Sequence, residues 1–175
     1  MDTLGSNTLV NDINKTIDDL VEVILNTDDK HLDAAVTENS WSVGQVVEHI
    51  IICGSGIPDT KTEAASRPPD EKVPILKDIF LNMNEKYKAD PSLSPRSNRH
   101  DKNELSMQVD RMRANLIQIV KEKDLSLLCL DMEFPSIGFL TRYEWIRFIL
   151  FHTQRHTIQA RNTVEEIMRN SGVTE

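Results

Sequence analysis

Between residues 145 and 167 the side chains Trp145, Phe148, His152, His156, Gln159, Thr163 and Ile167 follow one another at steps of three or four. That interval is the repeat of an α-helix, so all seven leave one face. A strand, whose side chains alternate every two residues, does not gather them. The face is expected to turn inward, because it opens on Trp and Phe and ends on Ile. His152 and His156 then stand where Leu or Ile ordinarily fills a core. Their i, i+4 spacing means ~40° of rotation and ~6 Å of rise, so the two rings are neighbours. Two imidazoles buried without partners are costly. A divalent cation shared between them removes the cost, since each ring offers a nitrogen lone pair. The same spacing also suits a solvated face, or a pair satisfied by neighbouring side chains.

Three further stretches carry the helical repeat. Leu9, Ile13, Ile17, Leu20 and Ile24 predict a helix over about 8–26, broken by Asn26-Thr27-Asp28-Asp29. A second helix begins at Ser42, where Ser42 and Gln45 form a capping box and Trp41 and Val46 a hydrophobic staple. It buries Val43, Val46, Val47, Ile50 and Ile51, and Gly54-Ser55-Gly56 ends it. A third runs over about 102–123, capped by Asp101 and Glu104, with Leu105, Val109, Met112, Leu116, Ile119 and Val120 inside. The fourth, which holds the histidine pair, opens on a Thr141/Glu144 box with Leu140 and Trp145 as its staple. It reaches about Asn170, with Gly172 as its stop. Residues 54–100 contain Pro58, Pro68, Pro69, Pro74, Pro91 and Pro95, which rule out one continuous helix. A short helix is expected at 75–84 within this long crossover. Four amphipathic helices in one domain over 1–175 predict an all-α four-helix bundle. The connections between helices one and two and between three and four favour antiparallel neighbours.

Composition excludes several classes of partner. The formal net charge is -8, and no dense Lys/Arg run offers a face to nucleic acid or to an anionic membrane. No apolar stretch approaches the ~20 residues that span a bilayer. The first seven residues lack the basic-then-apolar order of a signal peptide. Two cysteines, Cys53 and Cys129, give no disulfide framework, although a single bridge between them is open. A cytoplasmic, reduced protein is expected.

A third histidine joins the pair. His49 flanks the apolar face of helix two, so two helices aim imidazoles at one bundle interior. Trp-Ser-x-x-Gln-x-x-Glu-His at 41–49 and Gly-x-Leu-Thr-x-x-Glu-Trp-x-x-Phe…His-Thr-Gln-Arg-His-x-x-Gln at 138–159 resemble the DinB superfamily, also described as DinB/YfiT-like metalloenzymes. The likeness covers most of the chain and is loose over 57–100. It implies an up-down-down-up bundle, commonly a homodimer, and places the family's metal triad on His49, His152 and His156. The implied metal is zinc or nickel. Some members of the family are thiol S-transferases or isomerases that use a low-molecular-weight thiol such as bacillithiol or mycothiol. The DNA damage in the family's name concerns expression and implies no DNA binding.

Three neutral imidazoles leave a cation its full charge and an open position, which suits catalysis better than structure. Hydrolysis and thiol transfer of a small-molecule substrate both follow, with a non-catalytic metal or ligand module on the same bundle as an alternative. A plain helical interaction protein requires three coincident histidines. No catalytic group is identified beyond the cation. Gln154 replaces the Glu of a His-Glu-x-x-His protease and cannot act as its base. Glu48 points ~100° from His49 and reads as a solvated carboxylate. Gln159 is expected either to orient a ligand or to bond a neighbouring helix, and Arg155 to reach a substrate carboxylate or to lie on the surface. Cys53, four residues after His49, either approaches the metal or is an inert core thiol, and the inert reading is the more common for free Cys. His31 and His100 fall in polar loops with no expected role. The crossover 54–100 is expected to cover the open metal position.

Overall fold

The computed structural model describes residues 5–87 and 90–172. Its elements, in chain order, are α1 (Ser6–Asn26), α2 (Asp29–Leu32), α3 (Val43–Gly54), β1 (Thr62–Ala64), α4 (Val73–Leu81), α5 (Lys102–Glu122), β2 (Leu127–Cys129) and α6 (Arg142–Asn170). Residues 1–4 of the segment read for a leader, and Lys88 and Ala89 of the crossover, lie outside the described residues. No described helix is long and apolar enough to cross a membrane.

The caps act as their local chemistry dictates. At α3 the Gln45 backbone N–H donates to Ser42 Oγ at 3.3 Å, and Ser42 N–H donates to Gln45 Oε1 at 3.1 Å. At α6 the Glu144 N–H donates to Thr141 Oγ1 and Thr141 N–H to Glu144 Oε2, at 3.2 and 2.9 Å. Asp101 accepts from the Glu104 N–H at 2.9 Å and opens α5. Gly172 closes α6 with a left-handed φ of 70°. The short helix of the crossover starts at Val73, earlier than expected, because Pro74 suits the first turn of a helix.

The four long helices form a bundle. Its core is Leu9, Ile13, Ile17, Leu20 and Ile24 from α1, Val43, Val46, Val47 and Ile50 from α3, Leu105, Val109, Met112 and Leu116 from α5, and Ile146, Ile149, Leu150 and Ala160 from α6. Helix α1 packs on α5 and α6, and α3 packs on the same two. Among the described residues the consecutive helices α1 and α3 are therefore not the packed neighbours that the connection lengths suggested, and neither are α5 and α6. Residues 27–42 and 123–141 are long enough to carry the chain across a bundle end.

Two features depart from the expected all-α chain and its seam. Strands β1 and β2 pair antiparallel, Thr62 with Cys129 and Ala64 with Leu127, joining the crossover to the α5–α6 connection. Helix α6 also buries more than one stripe. Ile146, Ile149, Leu150, Thr153, Thr157 and Ala160 are buried, whereas Phe148, His156 and Gln159 of the expected seam are only partly so. The reason is a second apolar cluster on α6, built from Leu76, Cys129, Leu140, Trp145 and Phe151, with Phe80, Phe134 and Phe148 against it. Covered by α1, α3 and α4, α6 is wrapped on several sides. Its histidines stand where the bundle core gives way to this second cluster.

One carboxylate ties the crossover to α6. Glu144 is fully buried and accepts from Arg67 Nη1 and Nη2 at 2.6 and 2.7 Å, and from the Lys72 N–H at 2.8 Å. Thr141 Oγ1 adds a bond to the Pro69 carbonyl at 2.5 Å. Removing one partner of a buried ion pair leaves the other desolvated and uncompensated, at a cost of about 3–5 kcal/mol. Glu144→Ala is expected to lower the unfolding free energy by that order, seen as a lower urea midpoint, while Asp19→Ala, which breaks an exposed pair, leaves the midpoint nearly unchanged. Equal midpoints for the two variants would show that the anchor is dispensable.

Candidate metal centre

Helix α3 delivers His49 and α6 delivers His152 and His156. The close approach of the two helices has a steric basis at Gly54, the last residue of α3. A Cβ there would stand 2.5 Å from Met112 Sδ of α5 and 3.3 Å from Ile149 Cγ2 of α6. A side chain there would have to push the Met112 thioether aside. Three imidazoles then meet ring to ring, with centroids 4.9 Å apart for His49–His152, 4.7 Å for His49–His156 and 4.4 Å for His152–His156. His49 and His152 are buried, at 3% and 7% exposure, and His156 is partly open.

The orientation of the rings is set from outside. His49 Nδ1 lies 2.7 Å from the Leu93 carbonyl oxygen, which can only accept, so Nδ1 carries the hydrogen and Nε2 keeps its lone pair. That Nε2 lies 3.1 Å from Nε2 of His152. His156 Nδ1 lies 2.7 Å from Gln159 Oε1, again an acceptor, which frees its own Nε2. A ring that donates its far N–H to a fixed oxygen is the usual state of a metal-binding histidine. Two nitrogens bound ~2.0–2.1 Å from one tetrahedral ion are ~3.3 Å apart, close to the separation of the two Nε2 atoms. The donor set thus fits a divalent cation. The set whose ligand atoms all lie within 4.8 Å of one another is His49, Cys53 and His152, and the His156 ring packs against both histidines beside it.

Burial depresses all three imidazoles. For His49 desolvation lowers the pKa and the Leu93 bond partly restores it. His152 falls well below 6.5 through desolvation and the charges of His156, His49 and Arg155. His156 falls to about 4, with desolvation as the main cause and Gln159 opposing it. The rings are therefore neutral at neutral pH, the form that binds metal. Aromatic side chains close the surroundings. Trp41 packs 5.0 Å from His49, and Phe148 and Phe80 lie 5.6 and 6.0 Å from His152. Surface clefts lined by Asp59, Asn115 and Lys123, and by Glu22, Arg161 and Glu165, hold no imidazole. Concavity and donor chemistry point to different places, and the donor chemistry is the more specific.

The other sequence candidates divide. Gln159 orients His156 and does not bond a neighbouring helix. Arg155 is partly buried rather than free on the surface. It donates to the carbonyls of Phe80, Asn82 and Glu85 and sits 5.4 Å from the Tyr87 ring, holding the crossover on α6. Cys53 Sγ lies 3.8 and 3.9 Å from the two nitrogens of His49, and both cysteines are free, so no Cys53–Cys129 bridge exists. Gln154 bonds Thr16 Oγ1 of α1.

Two expectations were wrong. Glu48 is not a solvated carboxylate. It accepts from the backbone N–H groups of Arg96 and Ser97 at 2.9 and 3.1 Å, and it bonds His100 Nε2 at 3.0 Å. His100 is not idle either. Its side chain is 5% exposed, and Nδ1 lies 2.6 Å from Asp33 Oδ1. Gly44 makes room for it, since a Cβ there would stand 2.4 Å from His100 Nδ1. This Asp33–His100–Glu48 chain pins the end of the crossover beside α3, close in sequence to the Leu93 carbonyl. Glu48 stands inside the 41–49 motif, which was its only signal. Leu93 acts through its main chain and has none.

The chain can now be compared with known proteins. The family model of the DinB superfamily matches residues 12–160. The chain belongs to the DinB superfamily. Another member-like relative, the uncharacterized protein YuaE of Bacillus subtilis (strain 168), is 25% identical over 148 residues, covering 81% of this chain and 88% of YuaE. Two solved structures share the fold. TT2238, a four-helix bundle protein, superposes with a TM-score of 0.55 at 16% identity, over 90% of this chain and 98% of its own. YfiT from Bacillus subtilis, described as "a probable metal-dependent hydrolase with an unusual four-helix bundle topology", gives 0.58 at 11% identity, over 99% and 91%.

The depressed imidazoles make a pH prediction for the DinB-superfamily chain without metal. Between the folded values, about 4 for His156, and the unfolded value near 6.5, the unfolded chain binds more protons than the folded one. Stability is therefore fully retained above about pH 6.5 and falls as the pH is lowered towards 4. Urea midpoints measured across this range should drop more steeply for the metal-free wild type than for His156→Gln. Parallel curves would contradict the assigned burial of a neutral ring.

Proposed function

We propose that the chain is a metal-dependent enzyme, with one divalent cation, zinc or nickel, held by His49, His152 and His156, and that it hydrolyses a small molecule. The carrying observation is the facing pair of Nε2 atoms 3.1 Å apart, with the outer nitrogen of His49 already bonded to a fixed carbonyl. The Leu93 bond leaves His49 Nε2 as an acceptor, and its 3.1 Å spacing from His152 Nε2 suits a proton between the two rings without metal and two ligands on one ion with it. A divalent cation supplies Lewis acidity, which polarises a carbonyl or phosphoryl oxygen and makes water a better nucleophile at neutral pH. The chain's own residues orient and enclose. Leu93 and Gln159 hold two rings in one tautomer, and Trp41, Phe80 and Phe148 exclude bulk water from the buried side. Hydrolysis is chosen because YfiT, of the same fold, is described as a probable metal-dependent hydrolase.

Thiol transfer is the second reading, and one observation favours it. Glu48, the carboxylate next to His49 in the chain, is committed to His100 and two backbone N–H groups, so it is not placed as a general base. Turnover of an electrophile only in the presence of a low-molecular-weight thiol assigns transfer. Turnover of esters or amides without thiol assigns hydrolysis. The reading includes a cytoplasmic homodimer and an up-down-down-up bundle. The direction of the helices is supported by side-chain pairs. Asp12–Arg147, Thr16–Gln154 and Glu22–Arg161 rise together along α1 and α6, while Asp18–Arg113 and Leu25–Lys102 run oppositely along α1 and α5.

Elemental analysis of chain purified without a nickel column is expected to find about one divalent ion per chain, lost in His152→Ala. Gln159→Ala, which leaves every proposed ligand in place, is expected to weaken zinc binding ~10–100-fold, as the loss of an outer partner does at other sites. Unchanged affinity would show that Gln159 does not orient His156, and a metal-free wild type would overturn the proposed function.

A further inference from the structure

Cys53 stands apart from the other candidates because its sulfur lies among the ligand atoms themselves. One helical turn after His49 on α3, its Sγ is 3.9 Å from His49 Nε2, and with His49 and His152 it forms the set whose ligand atoms all fall within 4.8 Å. A sulfur ~2.3 Å and a nitrogen ~2.0–2.1 Å from one tetrahedral ion are ~3.6 Å apart, so the observed spacing is within a few tenths of an ångström of shared ligation. The sulfur, 3.8 Å from His49 Nδ1 as well, is also within 4.8 Å of the ligand nitrogen of His152, a buried ring from a second helix whose Nε2 is 3.1 Å from His49 Nε2. Cys129 offers no such neighbourhood, since it is buried in β2 within the second apolar cluster.

We propose that Cys53 is a fourth protein ligand, so that the resting centre is His3Cys rather than an open three-histidine site. The inference rests on the metal reading above and deepens it. Ligation exchanges the thiol proton, released to solvent, for a metal–sulfur bond, with no change of oxidation state. The added thiolate favours zinc, nickel or cobalt over the harder magnesium and manganese. It also closes a four-coordinate centre, so a substrate or an external thiol enters by displacing the sulfur or as a fifth ligand. Cys53 is thereby the residue that decides how readily the cation is reached.

The test uses cobalt(II), added to the metal-free full-length chain. Wild type and Cys129→Ser are expected to bind about one cobalt per chain and to show a sulfur-to-cobalt charge-transfer band in the near ultraviolet. Cys53→Ser is expected to keep the cobalt and lose the band. In the same samples zinc should slow the reaction of the Cys53 thiol with an aromatic disulfide reagent on the order of tenfold or more, because a bound thiolate is not free to attack. Cobalt bound without the band in wild type, or a band that survives in Cys53→Ser, overturns the fourth ligand and leaves the histidine centre standing. No cobalt bound by wild type overturns both. Circular dichroism of Cys53→Ser distinguishes a lost ligand from a lost fold, and Cys53→Ala is the replacement if the serine variant does not fold.

Discussion

Imidazoles can be buried between helices only while every ring nitrogen has somewhere to put its hydrogen or its lone pair. The Leu93 carbonyl takes the hydrogen of His49 Nδ1, and Gln159 Oε1 takes that of His156 Nδ1. The lone pair left on His49 Nε2 points inward, 3.1 Å from Nε2 of His152. A proton on His152 Nε2 fills that approach without metal, and a cation fills it with the rings as ligands. The rest of the structure follows from keeping these acceptors where they are. Leu93 belongs to the crossover and not to the bundle, so the crossover has to be fixed before the centre exists.

Fixing it takes polar bonds at three places. Glu144 receives Arg67 and the Lys72 N–H at the near end. Arg155, on the same helix as two of the histidines, gathers the carbonyls that follow α4. Asp33, His100 and Glu48 hold the far end against α3. The segment is thus not a loose lid. Each anchor uses a charged group that would be costly to bury unpaired. Each also lies near a bundle helix that carries a histidine, so the stability of the crossover and the geometry of the centre are one problem.

What could be read from the sequence was what is local. The boxes at Ser42 and Thr141 depend on residues three apart, and both helices begin where those pairs place them. The apolar repeat of α1 predicted Leu9, Ile13, Ile17, Leu20 and Ile24 on its buried face, and left out Thr16 and Val23. The seam of α6 was only part of what that helix buries. A helix wrapped by α1, α3 and α4 has no single inner stripe, and periodicity alone does not tell a core facing the bundle from one facing the crossover. The β1–β2 pair joins Thr62 to Cys129, and His100 meets Glu48, across separations that no local pattern encodes. The three histidines were legible because the helical repeat brought two together and the motif at 41–49 supplied the third. The sulfur of Cys53 was visible as a position and not as a contact.

X-ray absorption at the metal edge, on full-length chain purified without a nickel column, tests the central claim most directly. The account predicts a mostly nitrogen first shell at ~2.0–2.1 Å with the outer-shell scattering of three imidazoles, reduced to two rings in His49→Ala. An all-oxygen shell without imidazole scattering would contradict it.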